Sequence, residues 1–200
     1  MMLCELLTVK TRLGIAEADV VDDAILTNAI LAIGGRFELE CNRKFERTAN
    51  ATFEFRADEM DILVDRYPIE DYSAFHVKAN ETAGWVLQAD VVALIGLKKN
   101  IIELSTALGT SREIARVTFD GGYVLPGGTV SAGQTALPDE LAQACVEQTA
   151  HWYQQRKHLG LASVSGEGGS FSKDPVSVVT PLSLLPAVLA VLKKYERWRM

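Results

Sequence analysis

The apolar residues of this 200-residue chain change their period twice, and that change limits the fold more than any single motif. Leu26, Ile30, Ile33, Phe37 and Cys41 recur at intervals of four and three, which marks one face of a long amphipathic helix. Asp19 offers an N-cap, Asp22 and Asp23 suit the positive end of the dipole, and the pattern runs to about Arg43. A shorter helical piece over Leu3–Leu13 precedes it and ends at Gly14. Gly34 and Gly35 stand inside the long helix, each costing about 1 kcal/mol relative to alanine. Adjacent glycines persist there most easily where another backbone comes close; a kink would also accommodate them.

After Arg47 the period becomes two. Thr52–Arg56, Ile62–Tyr67, Asp71–Lys78, Trp85–Gln88, Val91–Leu97, Ile101–Leu104 and Ile114–Phe119 read as short strands parted by turn residues. Asp120-Gly121-Gly122-Tyr123 closes this region with a turn that only glycine makes cheaply, and a loop with Pro126, Gly127, Gly128 and Gly133 follows. Helical spacing returns at Pro138, with Asp139 and Glu140 in the first turn and Gly160 as the stop. Leu141, Cys145, Gln148 or Thr149, and Trp152 form its expected inward stripe. Ser163–Pro175, rich in Gly and Ser, reads as a flexible or lightly ordered loop. Ser183 can cap a last helix that has Pro186 in its first turn and Leu185, Val188, Leu189, Leu192 and Tyr195 on its apolar face.

The expected class is α+β: a small bundle of helices with an inserted antiparallel β region. One domain is expected over 1–200, with the N-terminal helices in 1–47, the β region in 50–123, and C-terminal helices at 137–160 and 183–198.

A formal charge of -6 disfavours tight binding of duplex DNA, which needs clustered cations. Cys4, Cys41 and Cys145 are odd in number and far apart, which suits buried small hydrophobes in a reducing compartment rather than disulfides or zinc. Met1–Lys10 carries Glu5 within its apolar run and lacks a cationic leader, so no secretory signal is expected. Val176–Leu192 is uncharged, but it has 17 residues and two prolines, short of the roughly 20 apolar residues of a membrane span.

Catalytic chemistry finds little footing. His151 and His158 stand seven apart without an accompanying acid, unlike helical metal ligands, and His76 has no nucleophile beside it in sequence. The acids Asp58, Glu59, Asp61, Asp65, Glu70 and Asp71 would serve a hydrolase if the fold paired two of them; a solvated strand face is the expected reading. Gly166-Glu167-Gly168-Gly169-Ser170 lacks the lysine and the strand–helix setting of a phosphate loop. No catalytic, cofactor or metal site is expected. The remaining signal is interaction: Tyr195, Arg197, Trp198 and Arg199 are of the kinds that dominate interface hot spots.

Five pieces recur in a recognisable order: Glu40-Cys41-Asn42-Arg43-Lys44-Phe45, Asp65-Arg66-Tyr67-Pro68-Ile69-Glu70, Val117-Thr118-Phe119-Asp120-Gly121-Gly122-Tyr123, Leu137-Pro138-Asp139-Glu140-Leu141 running on to Trp152-Tyr153-Gln154-Gln155-Arg156, and Ser170-Phe171-Ser172 before Leu185-Pro186. Together they resemble the head–tail connector, or neck adaptor, family of tailed bacteriophages. The strand region over about 75–112 is longer than in the compact members.

The resemblance implies a non-enzymatic virion protein of the head–tail junction, made in the host bacterial cytoplasm. It implies a homo-oligomeric ring on the portal protein, a dodecamer by portal symmetry, that extends the DNA channel and receives the next neck or tail protein. Double-stranded DNA would pass through without specific binding, along a lumen lined by acids. The partner-binding residues, toward portal or neighbouring subunit, are then expected among Tyr195, Arg197, Trp198, Arg199, Ser165, Gly168 and Phe171. A tail-completion or stopper protein is the alternative within the virion, and a carboxylate-dependent soluble hydrolase the alternative outside it.

Overall fold

The computed structural model describes residues 1–156, 163–166, 169–172 and 183–197. The chain divides into two compact units: Met1–Cys41 with Pro138–Met200, and Asn42–Leu137. The first is built on helices and the second on antiparallel strands, the α+β class that the periodicity implied.

In the helical unit, α1 (Leu6–Leu13) closes at Gly14, whose left-handed backbone lets its N–H reach back to the Thr11 carbonyl. Helix α2 (Asp23–Cys41) is unbroken and buries Leu26, Ile30, Ile33, Phe37 and Cys41, the stripe that the spacing marked. It begins later than the sequence suggested: Asp19 Oδ1 accepts from the Val21 N–H and so caps a turn ahead of the helix. Lys10, 3% exposed, fastens that turn. Its Nζ donates to the carbonyls of Glu17 and Asp19, both at 2.7 Å, and pairs with Asp23 at 2.9 Å.

The two glycines of α2 have different surroundings. A Cβ on Gly34 would stand 2.9 Å from the Met1 carbonyl oxygen, whereas one on Gly35 would meet nothing within 4 Å. Alanine at Gly34 is therefore expected to destabilise the subunit by about 1 kcal/mol, overpacking outweighing propensity. Alanine at Gly35 should stabilise it by a similar amount, and urea unfolding of the two variants measures both.

Helix α3 (Asp139–Gln155) buries Leu141, Cys145, Gln148 and Thr149. Trp152, expected inward, is only half-buried because it sits at a groove with Ile25, Asn28, Ala29, Ala32 and Ile33 of α2. The Cys145 and Cys4 sulfurs lie 3.4 Å apart, a neighbourhood hidden in sequence by a separation of 141 positions. The Cys4 hydrogen bond and burial push the Cys145 thiol well above its usual range, so it stays protonated and unreactive. Asp22, Tyr153 and Arg156 join the start of α2 to the end of α3: the Tyr153 hydroxyl and the Arg156 guanidinium both donate to Asp22 Oδ2.

The strand unit holds β1 (Thr48–Arg56), β2 (Asp61–Leu63), β3 (Ile69–Lys78), β4 (Val86–Gln88), β5 (Ala93–Ile95), β6 (Ile101–Leu104), β7 (Ile114–Gly121), β8 (Tyr123–Val124) and β9 (Thr135–Ala136). Antiparallel sheets ordered β1-β7-β3-β4 and β2-β6-β5 share one core, which includes Phe55, Ile62, Val64, Phe75, Ile102, Val117 and Phe119. All seven expected strands are present. The strand around Ile62–Tyr67 is shorter than expected, since the chain leaves the sheet after Leu63 to approach Lys44. The expected loop with Pro126, Gly127, Gly128 and Gly133 lies between β8 and β9, which pair in parallel at its two ends.

Three of the sequence pieces meet at one point of this unit. The Lys44 N–H donates to the Asp65 carbonyl at 2.7 Å and the Tyr123 N–H to the Phe45 carbonyl at 2.7 Å. The Gly122 N–H reaches the Pro68 carbonyl, across a cis Tyr67–Pro68 bond. Arg43, 3% exposed, lies at the centre: its guanidinium is 3.3 Å from the centroid of the Tyr67 ring and about 5 Å from that of Phe45, and it donates to the Tyr67 carbonyl. Arg47 clamps Glu70 through two bonds of 2.8 Å.

Candidate interaction surface

The C-terminal segment is placed by a buried amide. Gln148 Nε2 donates to the Ser183 carbonyl at 3.2 Å, and its Oε1 accepts from the Leu185 N–H at 2.9 Å. That clamp delivers Pro186 to the first position of α4 (Pro186–Leu192), where a missing N–H costs nothing. The N-cap is Leu185, not Ser183, because the Gln148 amide already supplies the local polar partner. Helix α4 buries Val188 and Leu192 and leaves Leu189 exposed. A groove of about 510 Å³ runs beside it, lined by Glu40, Pro186, Leu189, Ala190, Lys193 and Glu196 among others.

Beyond α4 a short 3₁₀ turn (Lys193–Tyr195) returns to the bundle. Lys194 Nζ lies 2.7 Å from Glu140 Oε2, the Tyr195 hydroxyl donates to Glu140 Oε1, and the Arg197 N–H donates to the Cys41 carbonyl at 2.8 Å. Tyr195 and Arg197, both candidate partner contacts, are thus half-buried and engaged within their own subunit. Ser165 and Phe171 stand on a separate element, a hairpin of β10 (Ser163–Gly166) and β11 (Gly169–Ser172) that pairs Val164 with Phe171 and Ser165 with Ser170. Within the Ser163–Pro175 stretch, 163–166 and 169–172 pair as strands that the glycine-rich composition did not announce, since Ser-Val-Ser and Ser-Phe-Ser alternate with period two; 167–168 and 173–175 lie outside the described residues. Gly168, Trp198 and Arg199 lie outside the described residues.

The hydrogen bond from Lys194 first, then that from Tyr195, holds the Glu140 carboxyl below the usual carboxylate range. A lowered folded pKa makes this tie complete above the ordinary carboxylate pKa and removes it as pH falls through the lower folded value. Hydrogen-exchange protection of residues 193–197 is therefore expected to be flat from neutral pH to about 5 and to drop in stronger acid. Glu140→Gln should show the loosened segment already at neutral pH.

Other sequence candidates are dispersed. Asp58 pairs with Arg56 at 3.1 Å, Glu70 is held by Arg47, and Asp61 faces Glu103 across β2 and β6. His76 stands between Arg116 and Leu87 in the sheet register, His151 is half-buried on α3, and His158 lies outside the described residues. Among the described residues no cluster of three or more His, Cys, Asp or Glu could hold a metal, and no helix is long and apolar enough to cross a membrane. Residues 176–182 of the uncharged segment are not among them.

No family model matches the chain, and no curated protein sequence does. Its fold, however, matches a solved structure. The neighbour is a chain described as the neck of an empty GTA particle computed with C6 symmetry, matched with a TM-score of 0.59 at 17% sequence identity. The match covers 99% of this chain and 91% of that one. A likeness spanning both the helical and the strand units fixes the fold.

Sequence reasoning missed several residues that organise the helical unit: buried Lys10, Asp22 with its two partners, and Glu140 as the anchor of the C-terminal segment. Tyr153 and Arg156 lay within a recognised piece, and their spacing of three on one helix face was the available signal.

Proposed function

We propose that this protein is a structural component of the neck of a phage-like particle, assembled as a ring of identical subunits on the portal and extending the DNA channel toward the tail. The observation that carries this reading is the near-complete fold match to the neck of a GTA particle, reached independently of the sequence resemblance. Six or twelve copies both satisfy a six-fold frame, and twelve suits a portal collar. Exposed apolar residues support a protein that works through contacts: Val86 and Leu87 on edge strand β4, Leu94 on edge strand β5 and Leu97 beyond it are 55–105% exposed. Unprotected strand edges of this kind are templates for other chains.

The segment beginning at Tyr195 is the proposed portal contact, with the β10–β11 hairpin as a contact to a neighbour or the lumen. Because Tyr195 and Arg197 also hold their own subunit together, the informative truncation removes only residues 198–200. Mass measurement of the purified protein, alone and mixed with the portal of its own particle, tests the reading. Ring-sized complexes on the portal, weakened by the truncation while the subunit stays folded, are expected. A protein that binds tail components and ignores the portal is a stopper instead, and one with hydrolase activity and no affinity for either overturns the reading.

A further inference from the structure

Two free cysteines from distant parts of the sequence meet inside the helical unit. Cys4 stands in the stretch before α1 and Cys145 on the buried face of α3, and the Cys4 thiol donates to the Cys145 sulfur at 3.4 Å. Cys4 is 3% exposed and Cys145 0%. Cys41 is free and buried as well, but its Sγ donates to the Leu192 carbonyl at 3.5 Å. Among the described residues, Cys4 and Cys145 are therefore the place where two thiols are in contact.

The helical unit is made of two chain segments, Met1–Cys41 and Pro138–Met200, with the strand unit between them in sequence. Cys4 belongs to one segment and Cys145 to the other. The ion pair between Arg12 and Glu147 also joins the segments, but it is exposed and weakens with salt. A bond between the sulfurs would hold them in any solvent. Such a bond is about 2.05 Å long, so the sulfurs must approach by roughly 1.3 Å, within reach of modest rotations of two short side chains.

We propose that Cys4 and Cys145 are a disulfide-forming pair, which ties the two segments of the helical unit together when the chain meets a low-molecular-weight disulfide. The Cys4 thiolate attacks one sulfur of that oxidant, and the oxidant's other half leaves as a thiolate. Cys145 then loses its proton and attacks the Cys4 sulfur, releasing the second half. Two protein thiols are oxidised to one disulfide, and the oxidant is reduced to two thiols. The raised Cys145 thiol makes it the later of the two to react. Its inertness lasts while the stretch before α1 is shut. Glu5 in that stretch is exposed and caps α1 without a side-chain hydrogen bond, so opening breaks no such bond. The pair does not rest on the neck reading; on that reading it closes once a particle leaves the reducing interior of a cell.

Oxidised glutathione, incubated with the folded protein, tests the proposal. Thiols are then trapped by alkylation after unfolding. One of the three should remain, on Cys41, and peptide mapping should find Cys4 joined to Cys145 with no glutathione attached. Thermal unfolding of the helical unit is expected about 10 °C higher after oxidation, and back at its starting value with reductant. Cys41→Ala should form the same bond and leave no thiol, whereas Cys4→Ala should gain no thermal stability from the oxidant. Three thiols left in the folded protein, under exposure that oxidises the urea-unfolded chain, overturn the proposal. So does a bond to Cys41, a glutathione adduct that never resolves, or a Cys4–Cys145 bond that brings no rise in unfolding temperature. None of these outcomes bears on portal binding, whose loss would overturn the neck reading alone.

Discussion

Alanine at Gly122 is expected to destabilise the strand unit by about 4 kcal/mol, the largest effect of any single methyl group added to it. Two costs combine. Gly122 has φ of +102°, a conformation that strains any residue with a Cβ by about 1–3 kcal/mol. The added Cβ would also lie 2.7 Å from the Glu46 carbonyl oxygen, 2.8 Å from Arg47 Cα and 2.9 Å from Arg47 N. All three are backbone atoms, and they are held there by hydrogen bonds that flank the glycine: Tyr123 N–H to Phe45, Arg47 N–H to Tyr123, and Gly122 N–H to Pro68. Relief would break part of that network, and overpacking of this kind costs another 1–3 kcal/mol. Gly133 separates the two contributions, because its φ is +86° but its Cβ would meet nothing within 4 Å. Urea unfolding should therefore place Gly133→Ala about 1 kcal/mol below the wild type and Gly122→Ala far lower. Equal losses at the two sites would show that the close approach at Gly122 is absorbed by small shifts.

Arg43→Ala should cost about 3 kcal/mol. The buried guanidinium stacks on Tyr67, lies near the rings of Phe45 and Tyr123, and donates to the Tyr67 carbonyl. A desolvated cation–π contact contributes ~2 kcal/mol, and truncation also opens a cavity and strands a buried acceptor. Lysine should not rescue the site, since an ammonium offers neither the flat face nor the forked donors that fit between aromatic rings and carbonyls. Tyrosine near-ultraviolet dichroism, read with denaturant unfolding, checks this: both Arg43→Ala and Arg43→Lys should lose signal from the Tyr67 and Tyr123 environments. A lysine variant of wild-type stability would reduce Arg43 to a simple space-filler. Because the chain has two compact units, the unfolding curves are to be examined for two transitions before one free energy is assigned.

Both predictions concern residues whose types were visible early and whose roles were not. The Gly121-Gly122 pair was legible as a turn, because positive φ is a local demand that glycine alone meets cheaply. Its second reason, the Glu46–Arg47 backbone lying against it, depends on a contact some 75 positions away and leaves no local pattern. Helices α2 and α3 and the seven strands were legible because burial of one face imposes a period on the sequence. Lys10 and Arg43 escaped that reading, since a buried charged side chain interrupts the apolar period instead of following it. The β10–β11 hairpin was masked by glycine and serine, whose turn propensity outweighs a short alternation. At the C-terminal segment the residue types pointed outward to a partner, yet Tyr195 binds Glu140 of its own subunit: hot-spot composition cannot tell an interface from a side chain that anchors its own helix.

The insertion of the strand unit between α2 and α3 has a consequence for synthesis. Residues 42–137 leave the ribosome as a complete folding unit while α1 and α2 still lack the helices they pack on. The bundle closes only when α3 and α4 emerge, so any surface that depends on the closed bundle matures last.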